Sequence, residues 1–340
     1  MILNLDLKER SYDIIIERGV IKKAAEQLNL KRKVMIITDA GVPSEYASCV
    51  LSQSKVGYVE VIPEGENGKS LAVYENVLSK MLEYGFTRSD CVVSVGGGVA
   101  GDLTGFCAAS YMRGIDFYNI PTTALAQIDA SIGGKTAVNL RGIKNIIGAF
   151  YQPKKVLIDP DLLITLPPRQ LSNGLCEAVK MAMTSDAELF EIMEEGNIYD
   201  NIETIIERSL KIKKSVVEKD EREGGLRKIL NFGHTIGHGI ESEEKLNGLY
   251  HGECVALGML PMCSTSARER LTKVLKNLHL PTSYDFDIQK IIEAMRHDKK
   301  SDGDCITVVL VEKIGTFELK KMSYDELTER FTSYIKKENK

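Results

Sequence analysis

An α/β domain followed by a mostly α-helical domain is the architecture this sequence predicts. Three observations carry that expectation. Through about residue 167, short β-branched runs alternate with stretches of helical spacing, the pattern of βαβ units around a largely parallel sheet. From residue 168 onward, most segments have helical periodicity alone. The Leu-Pro-Pro at 166–168 stands between the two regions, and proline disfavours continuation of either element. The expected domains are therefore 1–167 and 168–340.

Taken in order, KVMIIT at 33–38 and the run at 57–62 read as strands. CVVSV at 91–95, the run at 117–120 and that at 156–158 follow, with helical spacing at 71–84 between them. In the second half, helices are expected at 171–183, 187–194, 202–218, 235–244, 252–270 and 288–296. Ile202, Ile205, Ile206, Leu210 and Ile212 put an apolar stripe on the third of these. CITVVLV at 305–311 and the segment 315–320 read as a hairpin, and the Glu/Lys-rich 335–340 as a solvated end.

Composition narrows the function classes. The apolar fraction is 43% and the charged fraction 27%, enough apolar residue for a sizeable core. With 44 basic against 48 acidic residues the net charge is −4, so no basic excess favours nucleic acid or an anionic membrane. No apolar run reaches the roughly 18–20 residues that span a bilayer. The N-terminal segment lacks the basic, apolar and small-residue order of a secretory signal, so a cytoplasmic location is expected. Seven widely spaced cysteines contain no CxxC pair, which argues for buried packing rather than a zinc knot or a redox dithiol.

Three groups of residues carry chemistry. SVGGGVAGDL at 94–103 runs a strand into glycines, with Gly96, Gly98 and Gly101 in GxGxxG spacing. Missing side chains there let backbone N–H groups approach a phosphate, although a tight turn without ligand has the same residues. PEGENGK at 63–69 is a second polar turn, where Glu66 could accept from ribose hydroxyls. The second group is histidine. Three of the five histidines, His234, His238 and His251, fall close together. His234 and His238 are four apart in NFGHTIGHGIE, which places both on one helix face. Thr235 stands where HExxH needs its glutamate, so a metalloprotease is excluded. Two imidazoles and one carboxylate can bind a zinc-like ion and leave a position open. Glu177, Glu241 and Glu253 are all available, and spacing alone does not choose among them.

The third group is cationic. QIDASIGGKTAVNLRGIKNIIG at 127–148 holds Gly134-Lys135-Thr136 and Lys144-Asn145. It is not a P-loop, because Asp129 occupies the position of the first glycine. Arg113, Lys180, Arg227 and Asn231 add donors among Gly, Thr and apolar residues. Together they suggest a small, highly anionic ligand.

These segments in order resemble the 3-dehydroquinate synthase family. The resemblance runs through GGGVAGDLTGF at 96–106, YMRG at 111–114, IPTTALAQIDASIGGKTAVN at 120–139 and KNIIGAFYQPKKVLID at 144–159. It continues through TLPPRQL at 165–171, CEAVK at 176–180, LNFGHTIGHGIE at 230–241, HGE at 251–253 and DKK at 298–300. It implies an α/β N-terminal nucleotide-binding domain and a mostly α-helical C-terminal metal-binding domain, with the substrate cleft between them. Implied cofactors are NAD and one divalent metal, Zn2+ or Co2+. The implied metal ligands are Glu177, His234 and His251, with His238 as the catalytic histidine beside them. Lys135, Asp129 and Asn231 join it as implied catalytic residues. Substrate contacts carry over to Arg113, Lys135, Lys144, Asn145, Lys180, Lys213, Arg227, Asn231 and Lys299 or Lys300. NAD contacts carry over to Asp39, Glu66, Lys69, Gly97, Gly98, Asp102, Thr122, Thr123, Lys135, Lys144 and Thr165.

The implied substrate is an anionic sugar-acid phosphate, 3-deoxy-arabino-heptulosonate 7-phosphate. The implied reaction oxidises a ring carbinol transiently, eliminates phosphate, restores the hydride and closes a carbocycle by an aldol step. A homodimer is the family expectation. Alternatives are a related sugar phosphate cyclase such as 2-deoxy-scyllo-inosose synthase, a metal-dependent polyol dehydrogenase, or a non-enzymatic ligand-binding protein. Retention of Lys213, Arg227, Asn231 and His238 favours an acid substrate, since a buried carboxylate needs paired donors.

Overall fold

The computed structural model describes residues 1–243, 248–285, 287–297 and 305–338. Met1–Pro167 and Pro168–Lys340 form two compact units.

The first unit contains β1 (Ile2–Leu5), β2 (Tyr12–Ile16), β3 (Lys33–Asp39), β4 (Val56–Ile62), β5 (Cys91–Gly96), β6 (Asp116–Pro121), β7 (Lys135–Leu140), β8 (Ile143–Phe150) and β9 (Lys155–Ile158). Its helices are α1 (Ala24–Gln27), α2 (Ser44–Leu51), α3 (Leu71–Glu83) and α4 (Gly98–Ser110). Seven strands form one sheet in the order β1-β2-β9-β6-β5-β3-β4. All neighbours are parallel except β1 and β2. The period of two explains why β3 and β5 read as unbroken apolar runs. Val34, Ile36, Val93 and Val95 pack with Ala47 and Val50 of α2. Their chain neighbours Met35, Ile37 and Val92 pack with Val77 and Met81 of α3 and with Leu103 and Cys107 of α4. Both faces of the sheet centre are thus covered, and each fully buried Val or Ile contributes about 1.5–3 kcal/mol.

The second unit contains α5 (Pro168–Ser185), α6 (Ala187–Glu195), α7 (Ile202–Lys219), α8 (His234–Glu243), α9 (His251–Met259), α10 (Thr265–Asn277) and α11 (Ile288–His297). An antiparallel pair, β10 (Cys305–Leu310) and β11 (Glu318–Ser323), precedes α12 (Tyr324–Glu338). Among the described residues, no helix is long and apolar enough to cross a membrane.

Four features differ from the sequence expectation. The single helix expected at 252–270 is two, α9 and α10, parted by a 3-10 turn at Leu260–Met262. Pro261 has no N–H to continue the first helix, and Ser264 starts the second by accepting from the Ala267 amide at 3.3 Å. The first two strands escaped the reading. So did the antiparallel hairpin β7–β8, because β8 is mostly exposed and its large apolar residues, Ile143, Ile146, Ile147 and Phe150, fall at helical rather than alternating spacing. The segment from 335 continues α12 as far as Glu338.

Candidate metal centre and nucleotide-binding turn

In the first unit the sheet order reverses beside β3, whose neighbours are β4 on one side and β5 on the other. The chain leaves β3 toward α2 on one face and leaves β5 toward α4 on the opposite face. Such a reversal opens a crevice at the carboxyl ends of the strands. Asp39 ends β3 there, and Gly96 ends β5. A Cβ on Gly96 would lie 2.7 Å from the Ala100 Cβ and 3.4 Å from Asp39 Oδ2. One on Gly97 would lie 3.1 Å from Thr123 Cγ2. Bare backbone is therefore required at this turn. α4 begins at Gly98 without a side-chain cap, so its first amides face outward at the positive end of the helix. That turn and its glycines fit a pyrophosphate.

Burial pushes the Asp39 carboxyl above its ordinary value, and the Glu64 charge adds to the rise, while the Gly41 and Val42 amides oppose it. Thr122 follows β6 and donates its amide to the Gly96 carbonyl at 3.0 Å. Thr123 Oγ1 accepts from the Ala126 amide at 3.2 Å. Thr165 Oγ1 lies 2.8 Å from the Tyr46 hydroxyl. Lys69 is buried and pairs with Asp102 of α4.

Glu66 Oε2 accepts from Asn139 Nδ2 at 2.6 Å, and Lys144 Nζ stands 3.9 Å from Glu66 Oε1. Asn139 Oδ1 accepts the Asn145 amide at 2.9 Å. Asn139 thus ties Glu66 to Lys144-Asn145. The sequence reading missed it, although it closes the TAVN segment. The Gly-Gly-Lys-Thr segment opens a strand: Lys135 is exposed at the first position of β7. Asp129 lies half-buried in a π-helical turn, Ala126–Ala130. Arg113 is exposed, and both it and Met112 adopt left-handed backbone, φ 69° and 50°, which non-glycine residues hold only at a cost.

In the second unit α5, α8 and α9 assemble a cluster. Asn173 and Glu177 are four apart on α5, hence on one face. Asn173 Oδ1 accepts the Gly252 amide at 2.6 Å, which caps α9 just after His251. A Cβ on Gly252 would strike the Asn173 carbonyl, so only glycine permits this approach. Glu253 accepts the Tyr250 amide at 2.7 Å and a bidentate pair of bonds from Arg169, both 2.7 Å. Arg169 and Glu253 therefore brace the start of α9, a role that sequence spacing did not reveal. α8 and α9 also meet through glycines. A Cβ on Gly237 would lie 3.1 Å from the Cys254 carbonyl, and one on Gly258 would strike the Gly233 carbonyl.

This packing brings Glu177, His234 and His251 together, their donor atoms within 4.8 Å of one another. Glu177 Oε1 is 3.8 Å from His234 Nε2 and 3.5 Å from His251 Nε2. That oxygen is fully buried and makes no hydrogen bond, while Oε2 pairs with the buried Lys180 ammonium. A buried carboxylate oxygen facing two imidazole nitrogens fits a divalent cation with two nitrogen ligands and one oxygen ligand. Burial alone would raise the Glu177 carboxyl, but the Lys180 charge and the two histidines hold it well below the carboxylate range. Burial and the Lys180 charge hold His234 well below an ordinary imidazole. Burial would lower His251 as well, yet its contacts with Glu177 and Glu241 raise it to about 9.

His238 stands beside the triangle, its ring centroid 5.3 Å from that of His234 and 6.0 Å from that of His251. Lys213 is buried on α7. Arg227, also buried, donates to the Glu221 carbonyl, and Asn231 Nδ2 donates to Glu223 Oε1 at 2.9 Å. Both lie in the 3-10 segment Leu226–Asn231 that leads toward α8. Met181, Val216, Ile229 and Leu230 pack that segment against α5 and α7. Lys299 and Lys300 lie outside the described residues.

Comparison with known proteins places the chain. A family model described as 3-dehydroquinate synthase N-terminal matches residues 59–173, and one described as 3-dehydroquinate synthase C-terminal matches 174–301. The chain belongs to the 3-dehydroquinate synthase family. The 3-dehydroquinate synthase of Lactococcus lactis subsp. cremoris (strain MG1363) is 39% identical, over 99% of this chain and 100% of that protein. That of Thermoanaerobacter pseudethanolicus is 42% identical, over 96% of this chain and 98% of that protein. Among solved structures, a 2-deoxy-scyllo-inosose synthase complexed with carbaglucose-6-phosphate, NAD+ and Co2+ is 25% identical with a TM-score of 0.89, covering 98% of this chain and all of that one. The 2-epi-5-epi-valiolone synthase of Streptomyces hygroscopicus, with NAD+ and Zn2+ bound, is 28% identical with a TM-score of 0.88, covering 98% and 99% of the two chains.

Proposed function

We propose that this chain is a 3-dehydroquinate synthase, an NAD- and divalent-metal-dependent lyase. It converts 3-deoxy-arabino-heptulosonate 7-phosphate to 3-dehydroquinate and inorganic phosphate. The observation that carries this reading is the 39% and 42% identity to two curated synthases along nearly their whole length, against 25% and 28% to the two cyclases of other substrates. The cluster of Glu177, His234 and His251 supports it, as does the glycine turn at the end of β5.

Bound NAD would supply reversible hydride transfer at a ring carbinol, and a bound Zn2+ or Co2+ would polarise the oxygen there. In this reading Glu177, His234 and His251 hold the metal. Asp39, Glu66, Lys69, Gly97, Gly98, Asp102, Thr122, Thr123, Lys135, Lys144 and Thr165 serve the nucleotide. The Lys180 ammonium, kept dry beside Glu177, opposes negative charge on the substrate. Arg113, Lys135, Lys144 and Asn145 of the first unit, with Lys213, Arg227 and Asn231 of the second, bind phosphate and carboxylate groups. His238, beside the metal ligands, relays a proton, and Asp129 supplies a further carboxylate. Lys299 or Lys300 completes the set. The reading includes a cytoplasmic homodimer with no nucleic-acid or membrane partner, consistent with a net charge of −4.

The test is an assay of purified protein with the heptulosonate phosphate, NAD+ and Zn2+ or Co2+. Phosphate, cyclised product and NADH are followed together. Equal phosphate and carbocycle with no steady accumulation of NADH is the expected result. Stoichiometric NADH would instead mark a polyol dehydrogenase, and turnover only of substrates lacking the carboxylate would mark a related cyclase.

A further inference from the structure

One carboxylate near the cluster has no role in the reading above. Glu241 lies three residues after His238 and seven after His234, so all three share a face of α8. Its Oε2 is 3.3 Å from Nδ1 of His251, across on α9. The other nitrogen of the same ring, Nε2, is the one that faces Glu177 Oε1. His234 is arranged in parallel fashion. Its Nδ1 lies 3.2 Å from the Phe232 carbonyl, and its Nε2 faces the same Glu177 oxygen.

A carbonyl only accepts, so the proton of neutral His234 sits on Nδ1 and the Nε2 lone pair is left for a cation. A carboxylate opposite Nδ1 of His251 selects the same tautomer there. We infer that Glu241 is a positioning residue of the metal centre: it accepts a hydrogen bond from His251 Nδ1 and so aims the His251 Nε2 lone pair at the point shared with Glu177 and His234. The inference rests on the metal-centre reading and deepens it. A carboxylate acceptor also makes the imidazole a stronger donor to the metal than a backbone carbonyl does. The two histidine ligands are therefore not equivalent, and His251 is the more firmly oriented.

Donor atoms of His238, Glu241 and His251 also lie within 4.8 Å of one another, a geometry that a second cation could occupy. Such an ion would take His251 through Nδ1 and would turn Glu241 from an orienting group into a ligand. Stoichiometry separates the two roles.

The experiment titrates Zn2+ and Co2+ into the metal-free full-length protein against a chromophoric chelator. Wild type, Glu241→Ala and Glu241→Gln are compared, and the unfolding midpoint of each is recorded without metal. One ion per chain is expected in all three. Glu241→Ala should bind it about 10–100-fold more weakly. Glu241→Gln should fall between, because its amide oxygen still accepts from Nδ1 but carries no charge. The metal-free midpoint of Glu241→Ala should fall slightly, because Glu241 also pairs with His251 there, but each variant should stay folded at the titration temperature, so that lost affinity is not lost fold. Affinity of Glu241→Ala equal to wild type would overturn the assignment. So would two ions in wild type falling to one in Glu241→Ala. Absence of tight binding by wild type itself would overturn the metal-centre reading, and this assignment with it.

Discussion

His234 and His238 sit one turn apart on α8, yet their imidazoles keep different company. His234 Nε2 faces the buried Glu177 oxygen, and its Nδ1 faces the Phe232 carbonyl. His238 stands off the triangle. Replacing His234 by Ala should abolish tight metal binding and activity together. Replacing His238 by Ala should keep one ion per chain and lower kcat by about 10²–10⁴, the usual worth of a positioned acid–base group. Metal analysis beside kinetics checks both; metal loss in His238→Ala would mean that the ligand set is wrong. The sequence made the histidines conspicuous but left three glutamates open. Glu177, Glu241 and Glu253 lie on three different helices, and only the packing of those helices decides which faces what. Glu253 is held by Arg169, Glu241 stands behind His251, and Glu177 alone meets both Nε2 atoms.

Among elements, α6 shows how one charge can serve two ends. Asp186 caps the helix by accepting the Leu189 amide at 3.0 Å, and it accepts two bonds from Arg208 of α7, both 2.8 Å. Burial would raise its carboxyl, yet Arg208 and the Leu189 amide bring it below its ordinary 3.8. A carboxyl lowered on folding stabilises the protein above its unfolded pKa, and that contribution is lost as pH falls through the lower folded value. Asp186→Asn keeps a good cap and loses the charge pair, so it should cost about 1 kcal/mol near neutral pH. The difference from wild type should shrink below pH 3.8, where the carboxylate protonates. Denaturant unfolding at pH 7 and in acid measures it; a difference that grew in acid would contradict the pairing. Helix and strand placement was legible where burial is one-sided or complete, as in α7 or β5. It failed for β8, whose exposed apolar residues lack the alternation of a strand, and across Pro261, where two helices share one apolar pattern.

At the scale of the molecule, each of the two units carries its own candidate site. The glycine turn and Asp39 belong wholly to the first, and Glu177, His234 and His251 wholly to the second. Amide exchange should resolve them: added Zn2+ should slow α5, α8 and α9, and NAD should slow the start of α4 and the ends of β3 and β5. A ligand at 100 times its Kd adds about 2.7 kcal/mol to the unit it binds. Protection by Zn2+ confined to the first unit would refute the division. The alternation of strands and helices foretold the first unit's layering. The reversal beside β3 was not legible, since strand order is a long-range fact that no local run of residues encodes. The seam between α8 and α9 has a further consequence. Because bare glycines, not the imidazoles, set how near those helices come, spacing and coordination are separable inheritances. The histidines could be exchanged for other donors without moving the frame that presents them, and a descendant that abandoned the cation altogether would still wear the seam.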